Sequence, residues 1–186
     1  SGDINGNGKE EILIATGMGR GHTDVPARVV AIGESGSEII WERDGPRAQV
    51  SDLAVLDGRI WLATFADRWN VEGGWLTDGA FQPLTKVRMG MRQRPHTEGI
   101  LIGRLYGPEP KSDGDLHLRA GTSETPLPSL RGVRALLVAD IDGEPGDEAI
   151  VGDGWHHRYG KEADPRVAIL SGPKLGQHRT AIWLDG

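Results

Sequence analysis

The sequence repeats itself, and the repeat leaves few folds open. Near its start the chain reads GDINGNGKEEILIATG from Gly2 to Gly17, followed by PARVVAIGESGSEIIWERDG from Pro26 to Gly45. Near its end it reads ADIDGEPGDEAIVGDG from Ala139 to Gly154, followed by DPRVAILSGPKLGQHRTAIWLDG from Asp164 to Gly186. The order is the same in both: an acidic loop, a short apolar run, a variable loop, a run carrying Arg-Val, and a run carrying Ile-Trp before Asp-Gly. Asp3 and Asp140 correspond, 137 residues apart. Two degenerate copies fill that interval. In one, Leu53–Gly58, the acidic loop has shrunk to an Asp57-Gly58 hairpin turn. The other is centred near His96 and is followed by the run from Gly99 to Arg104. The interval therefore holds three repeats of roughly 46 residues, the period of four-stranded propeller blades.

Local patterns agree with this period. The apolar runs are three or four residues long, rich in β-branched types, and bounded by Gly, Asp or Pro. Ile12-Leu13-Ile14, Val29-Val30-Ala31-Ile32, Ile60-Trp61-Leu62 and Val167-Ala168-Ile169-Leu170 are examples. Such runs read as strands covered on both faces. Arg47–Leu56 also fits a helical face through Val50, Leu53 and Ala54, but its place in the repeat makes it a strand. Twenty-eight glycines in 186 residues exclude a helical bundle. The 37% of hydrophobic residues, gathered in compact runs, argue against disorder. The expected fold is all-β: a β-propeller of about four blades, each of four short antiparallel strands. The blades fall near 1–46, 47–88, 89–130 and 131–186. The first blade lacks a strand ahead of Asp3, so the expectation is part of a larger, seven-bladed propeller.

The formal charge is −6 and no Lys/Arg-rich run exists, which excludes a nucleic-acid partner at this level. There is no cysteine, and no apolar stretch approaches the roughly 18 residues of a membrane span. Ser1 stands where an initiator Met would, so missing targeting signals carry no weight.

The acidic loops carry chemistry. The first is Asp3-x-Asn5-x-Asn7-Gly8-x-x-Glu11, the second Asp140-x-Asp142-x-Glu144-x-x-x-Glu148. Side-chain oxygens at alternate positions, a backbone carbonyl at the seventh (Lys9, Gly146) and a carboxylate at the ninth wrap a hard cation, and Ca²⁺ takes six to eight such oxygens. An EF-hand is excluded, because its twelfth position needs a bidentate Glu and here holds Ile14 or Val151, with a strand following. Two bound Ca²⁺ would move the formal charge from −6 to −2. A structural role follows, since the ion fixes a loop that otherwise repels itself.

These loops and the strands after them, over residues 2–17 and 135–154, resemble FG-GAP/VCBS-type repeats, the calcium-bearing blades of integrin α-like propellers. The resemblance implies a secreted, cell-surface or periplasmic propeller with Ca²⁺ stapling the loop between a blade's first two strands. It carries metal roles to Asp3, Asn5, Asn7, the Lys9 carbonyl and Glu11. It does the same for Asp140, Asp142, Glu144, the Gly146 carbonyl and Glu148. Blades two and three lack the loop, so no calcium is expected there.

The loops on the opposite face hold Arg20 and His22 in blade one, Trp69 in blade two, and Trp155, His156, His157 and Tyr159 in blade four. Aromatics with forked cations and imidazoles suit a glycan or protein ligand. The expected function is a calcium-stabilised binding or scaffold module. The alternative is a metal-dependent sugar lyase or dehydratase. GDGWHHRYGK resembles His-bearing loops in calcium-repeat propellers that include the aldos-2-ulose dehydratases, which makes His156, His157 and His22 the catalytic candidates. A third reading has these rings only packing blade on blade. Trp41, Trp61 and Trp183 are expected to pack between sheets, and His96 and His117 to lie on the surface without partners.

Overall fold

A computed structural model of the chain describes residues 1–17, 25–45, 48–56, 58–67, 69–88, 90–107, 113–127, 130, 132–154, 166–172 and 175–183. Among these residues the protein is all-β. Fifteen strands run in chain order: β1 (Ile12–Thr16), β2 (Ala27–Gly33), β3 (Gly36–Arg43), β4 (Val50–Leu56), β5 (Arg59–Phe65), β6 (Asn70–Thr77), β7 (Ala80–Arg88), β8 (Met91–His96), β9 (Gly99–Tyr106), β10 (Asp113–Ala120), β11 (Ser123–Pro126), β12 (Val133–Ala139), β13 (Glu148–Asp153), β14 (Arg166–Ser171) and β15 (Gln177–Trp183). They form four antiparallel meanders: a three-stranded sheet β1-β2-β3, and four-stranded sheets β4-β5-β6-β7, β8-β9-β10-β11 and β12-β13-β14-β15. The segment that also fitted a helix is the strand β4. Its pairing with β5, Leu53 opposite Leu62 and Val55 opposite Ile60, supplies cross-strand contacts that outweigh local propensity.

The chain divides into two compact units, Ser1–Val87 and Arg88–Gly186. In the first, Ala27, Val29 and Trp41 of the first sheet meet Leu62 and Leu76 of the second, with Leu13, Ile60 and Phe81 packed around them. Trp41 and Phe81 approach to 6.3 Å between ring centroids, tilted by 55°. In the second unit, Leu101, Leu116 and Leu118 of the third sheet meet Leu136, Val151 and Leu170 of the fourth. Gly103 sits inside β9 rather than at a strand end, because the third and fourth sheets touch there. A Cβ on Gly103 would lie 2.4 Å from Val133 Cγ1.

Two expectations change. Trp61 is buried, but its ring partner is Trp75 on the neighbouring strand of its own sheet, 5.7 Å away, so it packs within a sheet. His96 and His117 are half-buried and partnered. His117 lies among Asp115, Glu124 and Arg104, a cross-strand charge cluster on the third sheet. The side chain of Trp183 lies outside what is described.

Candidate metal centre

Each acidic loop is closed at its root by antiparallel pairing. In the first, Gly2 N donates to Glu11 O at 3.2 Å and Glu11 N to Gly2 O at 3.0 Å. In the second, Ala139 faces Glu148 as the last pair of β12 and β13. The 137-residue offset carries one pair onto the other. In both loops the closing residue is a glutamate that the fold buries: Glu11 is 7% exposed and Glu148 3%. A carboxylate hidden this far from water needs partners.

The loops then fold back on themselves through matching hydrogen bonds. Ile4 N donates to Glu11 Oε2 and Ile141 N to Glu148 Oε2, each at 3.1 Å. Gly6 N donates to Asp3 Oδ1 and Gly143 N to Asp140 Oδ1, each at 2.7 Å. Asn7 N donates to Asn5 Oδ1 at 3.1 Å and Glu144 N to Asp142 Oδ1 at 2.9 Å. Gly6 and Gly143 turn at φ of 73° and 74°, the left-handed region where a side chain is disfavoured, and this turn aims their N–H groups back at the aspartate.

The copies part at one position. In the first loop the Asn5 amide donates to Glu11 Oε1 at 3.0 Å, so the buried carboxylate is held by a neutral side chain. Asp3 also accepts from Asn7 N at 3.1 Å and, on its other oxygen, from Gly8 N at 2.8 Å. The Gly8 N–H above all, then those of Gly6, Asn7 and Asn5, hold the Asp3 carboxyl below its ordinary range against the opposing effect of desolvation. In the second loop Asp142 stands where Asn5 does, and three carboxylates converge. Oxygens of Asp140, Asp142 and Glu148 lie within 4.8 Å of one another. Glu144 is exposed and its carboxylate stands outside this group. Lys9 and Gly146 occupy matching positions in the two loops. The Lys9 ammonium pairs with Glu34, and its backbone N donates to Asn7 Oδ1 at 2.8 Å.

The donors fit a hard cation. All are oxygens, one is nearly free of water, and oxygens bound 2.3–2.6 Å from Ca²⁺ lie up to about 5 Å apart. Sequence reasoning missed a neighbour of this loop. Glu98 N donates to His96 Nδ1 at 3.2 Å, which leaves Nε2 as the donor to Asp147 O at 3.0 Å. The β8–β9 turn of the third sheet thereby grips the loop of the fourth. No motif announces this, because the contact joins a side chain to a carbonyl across 51 residues.

Arg20, His22, Trp155, His156, His157 and Tyr159, expected on the opposite face, lie outside the described residues. Trp69 is described, and its indole is 45% exposed in the turn between β5 and β6. Asp67 shapes that turn, accepting from Trp69 N at 2.8 Å, Asn70 N at 3.0 Å and the Asn70 side chain at 2.8 Å. The Asn70 amide, then the Trp69 N–H, lower its pKa from 3.8 to about 2. Asp153, at the end of β13, receives Gly132 N at 2.9 Å and Arg166 Nε at 2.6 Å. It ties together the two strand ends that lead into and out of segment 155–165.

An open cleft of about 890 Å³ lies beside the first acidic loop, lined by Asn5, Asn7, Glu11, Glu34 and Arg59. The Arg59 guanidinium sits over Trp75 and Trp61, 5.3 and 6.0 Å from their ring centroids. Among the described residues no helix is long and apolar enough to cross a membrane. The chain matches no protein family, no curated protein and no solved structure.

Proposed function

We propose that the protein is a calcium-stabilised β-propeller module of a secreted or cell-surface protein, serving to bind a glycan or protein ligand or to scaffold neighbouring parts. The convergence of Asp140, Asp142 and Glu148 carries the metal part of this reading. Three carboxylates this close, one of them buried, repel strongly unless a cation sits among them. Asp140, Asp142, Glu148 and the Gly146 carbonyl would hold it. Asp3, Asn5, Asn7, Glu11 and the Lys9 carbonyl would hold a second ion once Asn5 turns its amide oxygen inward. The ion would supply positive charge that fixes the loop. The four meander sheets support the propeller, and the exposed Trp69 supports the ligand face.

Calorimetric titration of the metal-free chain with Ca²⁺ tests the reading. The expected result is saturable binding that Glu148→Gln weakens at least tenfold, while Mg²⁺ binds less tightly because it demands stricter octahedral geometry. Absence of saturable Ca²⁺ binding would reject it.

A further inference from the structure

The second acidic loop is held from two sheets. Its own sheet holds it at the root, through the pair Ala139–Glu148. The third sheet holds it one residue earlier, where His96 Nε2 donates to Asp147 O at 3.0 Å. Both sheets belong to the unit Arg88–Gly186, and they share a core in which Leu101 and Leu116 meet Leu136, Val151 and Leu170. The position of the histidine bond matters. Asp147 lies between Gly146 and Glu148, the residues whose carbonyl and carboxylate face the cation in the reading above. A peptide group is planar, so a bond to the Asp147 carbonyl also orients the plane that carries Glu148 N. That removes freedom from the approach of the Glu148 side chain, whose carboxylate is one of the three that converge.

His96 is itself anchored. It ends β8 and pairs with Gly99 across the two-residue turn Thr97-Glu98. Glu98 N donates to its Nδ1 at 3.2 Å, which orients the ring and leaves the N–H on Nε2. The residue is half-buried, so water competes less for that N–H. The two sheets already meet through aliphatic side chains, so a single directional bond between polar groups adds little to their packing. What it adds is a fixed distance between the β8–β9 turn and the loop. We propose that His96 is a positioning residue for the cation site of the second loop, and that its bond couples cation binding to the seating of the third sheet on the fourth. This rests on the cation reading of that loop. Coupling of this kind is reciprocal: whatever factor the seated turn adds to cation affinity, the bound cation adds to the seating of the turn.

Two measurements on the full chain test it. The first is calorimetric titration with Ca²⁺ of the wild type, His96→Phe, which keeps a ring but no donor, and His96→Gln, which keeps an N–H within reach of Asp147 O. His96→Phe should bind about two- to tenfold more weakly, the worth of one neutral hydrogen bond, and His96→Gln close to wild type. In a chain already carrying Glu148→Gln, His96→Phe should change nothing further, which assigns the loss to the second loop. The second measurement is amide hydrogen exchange across the β8–β9 turn, in Ca²⁺ and in chelator. Calcium should slow exchange there in the wild type and in His96→Gln but not in His96→Phe. The wild-type comparison needs no variant, so it decides even if His96→Phe fails to fold. Unchanged affinity in His96→Phe, equal loss in both variants, or exchange in the wild-type turn that ignores calcium would each overturn the coupling while leaving the cation reading intact. A wild-type chain that binds no Ca²⁺ would overturn both.

Discussion

At the scale of single residues, the two acidic loops show how one atom changes the chemistry of a shared frame. The first loop satisfies its buried glutamate with the amide of Asn5, and the second places Asp142 there and gathers charge instead. Loop positions were legible in the sequence because the spacing of acidic and amide residues is local and the glycines mark the turns. The His96 grip on Asp147 O was not, because its partner is a carbonyl that any residue could supply. Asp67 offers a check on side-chain hydrogen bonding. Its folded pKa lies below its unfolded one, so its contribution to stability is present above the ordinary carboxylate range and is lost as pH falls from 3.8 towards 2. Carboxyl-carbon NMR should show a midpoint near 2, and Asn70→Ala should move it upwards. A wild-type midpoint near 3.8 would contradict that bond. Asp153 makes a stronger claim, since its side chain is 1% exposed and neutralises Arg166. Asp153→Ala removes a buried acceptor from the Gly132 N–H and from Arg166 Nε and should cost about 1–3 kcal/mol, the penalty for breaking a buried hydrogen bond. Asp153→Asn, which keeps an acceptor, should cost less in the same denaturant series.

At the scale of elements, the apolar strands were the readable ones. Ile12–Ile14, Ile60–Leu62, Leu136–Val138 and Val167–Leu170 each lie within a strand. The strands that were not individually legible are polar or interrupted. β8 reads MRQRPH, β11 reads SETP and is exposed throughout, and β6 carries a Gly pair. Their strand character comes from pairing with an apolar neighbour, which no local window contains. The glycines of β6 illustrate this. Gly74 lies so close to β7 that an added Cβ would stand 1.9 Å from Gln82 O. Gly74→Ala should therefore push the two strands apart and destabilise the protein by about 1–3 kcal/mol, as overpacking does. Urea unfolding measures it, and an unchanged midpoint would mean that β7 is not held against β6 at this point.

At the scale of the whole molecule, the described residues form one three-stranded and three four-stranded antiparallel meanders in chain order. The 137-residue offset survives as matching root pairs, matching N–H contacts and matching left-handed glycines in the two acidic loops. Ligand identity was not legible, because most of the candidate residues fall in sequence segments that obey no period. The central claim is that a divalent cation holds these loops. It is tested most directly by thermal unfolding of the wild-type chain in Ca²⁺ and in excess chelator. Calcium at about 100 times its dissociation constant adds about 2.7 kcal/mol per site. For a chain of this size that is a rise of about 5–10 °C in Tm for each occupied site, and Glu148→Gln should remove the second loop's share. The same Tm in calcium and in chelator would contradict the account.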